Sequence, residues 1–473
     1  MLPVLSVQQM RQWEEATWTT GQSAESVIQL VGQRLAQRIV ELSRPGDVIW
    51  IVAGKGHNGD DARAAVPGLS DRSVVLLNVT DPGQGRIEFL EKIQRHGEHP
   101  PAWIVDALFG IGLSRPLDEP WRQLIEALNN SGVPILAVDV PSGLNADTGL
   151  PEGAAIRAEL TLTVGAPKTG LLKGPAFTGR VEVLSDVGLA ACLIDSELNW
   201  TSAEDFRGLP PRRPVAANKG NFGHVAIVAG SRGYHGAAVL SAWGALRARV
   251  GLVSVYPQES AYVPVAAQLQ SAMVHPWEAG KSQPKNCTAL LFGPGLAAQD
   301  VPGSLKDEMR THWHCSPLAM LVDASALDWL DAGPVPEGAV RLITPHPGEA
   351  GRLLGSSAEA VQAGRLGALR QLSKKFGNCC VVLKGHQTLV GRSTGKVFVN
   401  SSGNPFLAQG GSGDLLSGYA AGLLAQPDWR RDPVLAARYA VWQHGATADN
   451  LSQTRPNWTL EELAAHLGEA VGG

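Results

Sequence analysis

The sequence predicts an α/β chain of two domains, each built on a parallel sheet with helices on both faces. Three observations predict it. Apolar strand-like runs alternate with stretches of helical period. Nearly every such run ends in a glycine, an acid or a Ser/Asn turn, which is where α/β folds carry function. And 473 residues exceed the usual size of one core, with a proline-rich break, Leu209-Pro-Pro-Arg-Arg-Pro214, near the middle.

The chain starts with apolar residues at helical spacing, Met10, Trp13, Val27, Leu30, Val31, Leu35 and Ile39, which predict one or two amphipathic helices. Their default role is packing, with a dimer face as the second reading. The strand Asp47–Ala53 then enters Gly54-Lys-Gly56-His-Asn-Gly59, a G-x-G-x-x-G turn before helix-compatible residues. That is the dinucleotide fingerprint in form, although no clear acid follows the second strand, Ser73–Val79. Further strands are expected at Ala102–Gly110, Val133–Asp139, Leu160–Val164 and Arg180–Leu184, with helices near 86–94 and 121–127. His57, Asn58, Asp61, Asp106, Arg115, Asp139 and Ser142 all fall at strand ends. Singly each reads as a cap or turn former; together they predict a pocket.

In the second half, strands are expected at 224–229, 252–256, 289–292, 319–322, 341–344 and 379–383. The stretch Asn404-Pro-Phe-Leu-Ala-Gln-Gly-Gly-Ser-Gly-Asp414 organises this half. Its glycines let backbone N–H groups turn toward one point, and a helix starting near Asp414 adds its free N–H groups. A carboxylate beside such an anion hole suits phosphoryl transfer; a Gly-rich turn capped by Asp is the plainer reading. The tail, 432–471, reads as helices with polar faces.

Composition narrows the classes. A net charge of −4 argues against a nucleic-acid surface. No apolar run is long enough to span a bilayer, and the start lacks a signal-peptide pattern. Five cysteines, scattered apart from the adjacent Cys379-Cys380 and without metal spacing, read as reduced thiols of a cytoplasmic protein. The tryptophans, which follow no repeat, read as core or interface residues. There is no P-loop and no protein-kinase signature.

Several motifs resemble known families. Gly-Gly-Ser-Gly-Asp414 is similar to the G-[TS]-G-D signature of the ribokinase-like superfamily. Asn218-Lys-Gly-Asn-Phe-Gly-His-Val, Thr344-Pro-His-Pro-Gly-Glu349 and Lys384-Gly-His-Gln-Thr388 resemble the NAD(P)H-hydrate dehydratases. Gly54-Lys-Gly-His-Asn-Gly-Asp-Asp61, Val105-Asp-Ala-Leu-Phe-Gly-Ile-Gly-Leu-Ser-Arg115 and Val138-Asp-Val-Pro-Ser-Gly143 are similar to the NAD(P)H-hydrate epimerases. The resemblance runs over nearly the whole chain, in family order, and identifies it with the bifunctional NAD(P)H-hydrate repair enzymes.

That resemblance implies a Rossmann-like epimerase domain, 1–205, and a ribokinase-like, ADP-dependent dehydratase domain, 206–473. It implies Asp139 as acid/base of the epimerase. Lys168 is taken as a second catalytic group, with a solvated surface lysine as its other reading. His57, Asn58, Gly59, Asp60 and Asp61, with Gly110, Ile111, Gly112, Leu113, Ser114, Arg115 and Pro116, would hold the dinucleotide. Asn58, Asp106 and Ser142 would bind K⁺. In the second domain Asp414 would be the base, and Ala237, Ala238, Gly295 and His346 would line the hydrate. Lys384, Gly385, His386, Gln387, Thr388 and Gly413 would hold ADP, with Mg²⁺ on its phosphates. The implied partner is the small molecule NADHX or NADPHX, and a homo-oligomer is expected. Asp60 and Ala62 depart from the family glycines; an inward Asp60 would repel phosphate. Two other classes stay open: a small-alcohol kinase in the second half, and a non-catalytic binding module in the first.

Overall fold

The computed structural model describes residues 1–95, 100–113, 115–281 and 284–472. Contacts divide it into two units, 2–197 and 198–473, with Met1 on the second.

The first unit is a parallel sheet of six strands: β1 (Val48–Ala53), β2 (Ser73–Asn78), β3 (Trp103–Ala107), β4 (Ile135–Val138), β5 (Leu160–Val164) and β6 (Arg180–Leu184). Their spatial order is β2-β1-β3-β4-β5-β6. β1 shows why the sheet is covered on both sides. Ile49, Ile51 and Ala53 point into one core with Leu35 and Ile39, while Trp50 and Val52 point into the other with Phe89. Trp50 meets Phe89 edge to face, with centroids 5.5 Å apart. Each such large apolar side chain, fully buried, contributes about 1.5–3 kcal/mol.

Two helices precede the sheet, Val7–Trp18 and Ala24–Leu42. Ser6 and Gln9 start the first with a capping box. Met10, Trp13 and Thr17 are buried, so this apolar face is spent on packing inside its own unit.

The second unit has strands β7 (Leu198–Thr201), β8 (His224–Val228), β9 (Leu252–Val255), β10 (Met273–Val274), β11 (Ala289–Phe292), β12 (Ala319–Val322), β13 (Arg341–Ile343), β14 (Cys380–Leu383), β15 (Leu389–Gly391) and β16 (Val397–Asn400). They run in the order β7-β16-β15-β14-β13-β12-β11-β8-β9-β10. All pairs are parallel except β14–β15 and β15–β16, which are antiparallel. The sequence reading missed β7, β10, β15 and β16. They are short, and Leu198–Thr201, counted with the first half, finds its partner only in β16, some 200 residues on.

Two helices cross the sheet of this unit backbone to backbone, His235–Arg247 and Ser412–Leu424. A Cβ on Gly418 would lie 1.9 Å from the Ser241 carbonyl oxygen, and one on Gly244 2.2 Å from that of Leu415. The tail differs from its expected polar character. Pro433–Thr454 is a core helix, with Ala436, Ala437, Tyr439, Ala440, Trp442 and His444 buried. Its many alanines hid this from a reading by strongly apolar residues. Among the described residues no helix is long and apolar enough to cross a membrane.

Candidate functional sites

In the first unit, β1 turns at Gly54 into the helix His57–Ala65. The turn is tight. A Cβ on Gly59 would lie 2.2 Å from the Gly54 carbonyl oxygen, and one on Gly54 2.2 Å from that of Leu108. This brings the helix start against the ends of β3 and β4. Asn58 Nδ2 donates to the Phe109 carbonyl at 3.0 Å, and the Phe109 N–H donates to Ser142 Oγ at 2.9 Å. Asp106, fully buried, accepts the Ser142 N–H at 2.8 Å. Burial pushes its carboxyl up to about 6, against the pull of the Ser142 and Leu108 hydrogen bonds. Asn58 Oδ1 is buried with no hydrogen-bond partner. An orphaned amide oxygen beside a carboxylate, a hydroxyl and a carbonyl is a donor set that fits a hard monovalent cation.

Asp139 follows β4 with a left-handed backbone, φ 68°, uncommon for a residue with a side chain. Its Oδ1 accepts from Lys168 Nζ at 2.5 Å and from the Val164 N–H at 3.2 Å. Lys168 Nζ also donates to Thr163 Oγ1 at 3.0 Å and to the Val164 carbonyl at 2.7 Å. At 1% exposure Lys168 is a buried, three-bonded ammonium, which removes the solvated-lysine reading. Gly110 lies between Asp139 and Asn58: a Cβ there would be 3.3 Å from Asp139 Oδ2 and 3.5 Å from the Asn58 side chain.

Asp61 is buried in the same cluster. Desolvation first, then Asp139, Asp60 and Glu14, raise its carboxyl to about 8. Asp60 does not crowd the turn. It pairs with Arg63 at 2.8 Å, and Arg63 is held in turn by Asn78. Ala62 is fully buried in a helical segment and packs in the core with Leu35 and Ile39, so it needs no glycine backbone there. Ile111 also packs as core, against Met10 and Trp13. His57 and Gly112 are exposed, Leu113 is half-buried, and Arg115 and Pro116 are exposed. Ser114 lies outside the described residues. Glu14 was missed in the sequence: burial and Asp139 raise its carboxyl, and Lys168 and His57 oppose them. It sits one residue from Trp13 on a helix that reads only as packing.

In the second unit, three strand ends converge on the start of the helix Ser412–Leu424. Gly411, φ 99°, precedes it, and Asp414 lies in its first turn. Lys384, after β14, donates to the buried Asp323, after β12, at 3.0 Å and lies 3.8 Å from Glu349. A Cβ on Gly413 would be 3.4 Å from Lys384 Nζ. Burial raises the Asp414 carboxyl to about 7; Asp323 and Glu349 add to that rise and Lys384 opposes it. Burial would lower Lys384, but Asp323, Glu349 and Asp414 outweigh it and hold its ammonium above the usual value.

His346 caps the helix Pro347–Leu354, its Nδ1 accepting the Gly348 N–H at 3.1 Å, while Glu349 accepts the His346 N–H at 2.8 Å. Its outer face stays exposed. Gly295, φ 65°, packs against Ala237, whose Cβ would be 2.8 Å from a Cβ there. Ala238 differs from expectation. It is fully buried beneath Gly230 in the core, so of the two alanines expected beside the hydrate only Ala237, half-buried against Gly295, is left to face it. The loop 384–388 rests on Arg365, which donates to the His386 carbonyl and to the Leu383 carbonyl, the latter at 3.1 Å. Gly385 lies against Arg365 and Thr388 Oγ1 donates to the Gly385 carbonyl at 3.0 Å. Gln387 has a left-handed backbone, φ 52°, and both of its amide atoms are buried without partners. Asp323 and Arg365 escaped the sequence reading. An acid ending a buried strand was the one available signal for Asp323; Arg365 had none.

Fold and sites first define a class: an α/β enzyme of two parallel-sheet units, the second of ribokinase-like architecture. Comparisons with known proteins narrow it. A profile of NAD(P)H-hydrate dehydratases matches residues 225–470, and one of YjeF-related protein N-termini matches 80–170. The bifunctional NAD(P)H-hydrate repair enzyme of Coxiella burnetii is 32% identical over 472 residues, 94% of each chain. That of Gloeobacter violaceus is 34% identical, covering 94% of this chain and 92% of its own. The ADP/ATP-dependent NAD(P)H-hydrate dehydratase of Bacillus subtilis, co-crystallised with ATP and Mg²⁺, is 28% identical with a TM-score of 0.50, over 57% of this chain and 95% of its own. A ribokinase-like protein of Enterococcus faecalis reaches a TM-score of 0.51 at 26% identity, over 59% and 97%. The chain belongs to the family of bifunctional NAD(P)H-hydrate repair enzymes.

Proposed function

We propose that this chain interconverts the R and S hydrates of NADH and NADPH in its first unit and dehydrates the S hydrate in its second. The observation that carries the reading is the cluster of Asp414, Lys384, Asp323 and Glu349 under a glycine-framed helix start. Asp414, raised to about 7, is matched to take the ring hydroxyl proton near neutral pH. That oxygen attacks the terminal phosphorus of ADP, the phosphoryl bond to AMP breaks, and a phosphate ester forms. The lone pair of the ring nitrogen then expels phosphate to leave an iminium, and loss of a proton from the adjacent ring carbon restores the reduced nicotinamide. Phosphate leaves far more readily than hydroxide, which is the use of the transfer.

Lys384 and the N–H groups at Gly413 would neutralise and orient the moving phosphoryl group. Residues 385–388 would hold the rest of the nucleotide, and the two unpaired amide atoms of Gln387 support that role. Mg²⁺ would arrive on the phosphates; the described residues contain no group of three or more His, Cys, Asp or Glu set to hold a metal. His346 and the Ala237–Gly295 rim would face the hydrate.

In the first unit Asp139 would move the proton at the hydrate carbon, and Lys168 would hold that carboxylate in place. Asn58, Asp106 and Ser142 would hold K⁺, whose charge would offset the diphosphate. Asp61, neutral at pH 7, could sit beside phosphate without repelling it. The reading also carries a cytoplasmic location, supported by five free thiols, and a homo-oligomeric assembly that sedimentation would test.

The test is absorbance recovery at the reduced-nicotinamide band with mixed R and S hydrate, ADP and Mg²⁺. Full recovery, abolished by Asp414→Asn and made biphasic by Asp139→Asn, is the expected result. A stable phosphorylated product without recovery would overturn it in favour of a kinase.

A further inference from the structure

The second unit carries a large cavity at the other edge of its sheet. Asp323, His346 and Lys384 follow the C-terminal ends of β12, β13 and β14. The cavity instead lies against Phe222 and Arg249, which precede the N-terminal ends of β8 and β9. It has a volume of about 750 Å³, within the range of small-molecule sites.

Its lining is strongly cationic. Arg212, Arg213, Arg247 and Arg249 surround it, and Asp428 is the one carboxylate among the described lining residues. Asp428 is 3.5 Å from Arg431, outside the cavity. Arg212, Arg247 and Arg249 form no ion pair with a described carboxylate. Arg213 stacks on Phe222, 3.8 Å from its centroid, and donates to the Arg249 carbonyl. Burial, then Arg249, lower the Arg213 guanidinium. At the helix ends beside the cavity Gln426 Nε2 donates to the Ala248 and Gly422 carbonyls, and Arg247 lies in the last turn of its own helix. Four guanidinium groups are thus gathered around one concave, partly apolar space with no carboxylate among the described residues paired to them. A planar fork of donors at several points on a wall suits phosphate oxygens, which accept two bonds from each fork.

We propose that this cavity is a second anion site, taking a phosphate-bearing organic molecule about the size of a mononucleotide. Calorimetry of the full chain with ADP tests it. Two ADP per chain are expected. The double variant Arg212→Ala/Arg247→Ala should weaken one of them by about tenfold or more and spare the other. Lys384→Ala should do the reverse. Both arginines are exposed, so the fold should tolerate the change, which thermal melting checks. The charge reversal Arg247→Glu should give the same loss with an unchanged melt. One ADP per chain, lost with Lys384→Ala and untouched by the arginine variants, would overturn the proposal. That result would leave the catalytic reading standing, since it concerns the other edge of the sheet.

Discussion

Lys168 Nζ lies 2.5 Å from Asp139 Oδ1, and both groups are buried. Asp139 is carried on a left-handed backbone, and Thr163 and Val164 complete the ammonium's bonds. The pair fixes one carboxylate oxygen, leaving Oδ2 toward Gly110. Taking away one partner of a buried pair strands the other charge, at a cost of about 3–5 kcal/mol. Lys168→Met should therefore lower the melting temperature of the first unit and abolish epimerisation. Recovery of pure S hydrate with ADP should stay near wild type, and stopped assays on pure R hydrate separate the two.

Asp414 predicts the pH dependence of dehydration. As the proposed base it must be unprotonated, and its carboxyl is held up to about 7. The kcat/KM of dehydration should fall as pH drops through about 7, well above the usual carboxylate range. Asp414→Asn should cost about 10²–10⁴-fold. It should also stabilise the protein. A carboxyl raised on folding contributes stability below its unfolded value near 3.8 and loses it as pH rises through about 7. Chemical denaturation should find the variant more stable at pH 8, by roughly a few kcal/mol, with the gap closing below about pH 4.

Asp323 acts on that same carboxyl from a distance. It raises Asp414 and anchors Lys384. Asp323→Asn should move the acidic limb of the dehydration profile to lower pH, and weaken ADP binding as Lys384 loses its anchor. An unmoved limb with unchanged ADP affinity would show that Lys384 is held by Glu349 alone.

Asp61 sets an opposite limb for the first unit. It is neutral below about 8, so the KM of epimerisation should rise as pH climbs through that value and a negative charge meets the diphosphate. Asp61→Asn should flatten the rise.

Asp60 should be nearly silent. It makes a half-exposed i,i+3 pair with Arg63, of a kind contributing about 0–1 kcal/mol. Asp60→Ala should leave epimerisation within about twofold, and initial rates on R hydrate decide it.

Much of this was legible in the sequence, and the reason is local. Gly59 is demanded by a contact within its own short loop and Gly411 by its positive φ, and Asp106, Asp139 and Lys384 end strands whose apolar runs are plain. What stayed hidden depends on convergence. Lys384 meets Asp323 across 61 positions and two strands, and Arg365 supports the 384–388 loop from a separate helix. Whether Asp60 faces phosphate or Arg63 was equally unreadable, because it turns on a rotamer. Ala238 and Ala237 differ by one helical step, and only packing against Gly230 and Gly295 tells them apart.

The glycine contacts of Gly244 and Gly418 bear on how the dehydratase site can close. With no side chains between them, the helix headed by Asp414 and the helix that begins beside Ala237 have no room to slide. Asp414 and the wall at Gly295 therefore form an anvil of fixed gap. Any tightening around a substrate must come from the facing side, through the stretch at 384–388 and the segment after Asn404, tethered to Asp449 by two hydrogen bonds.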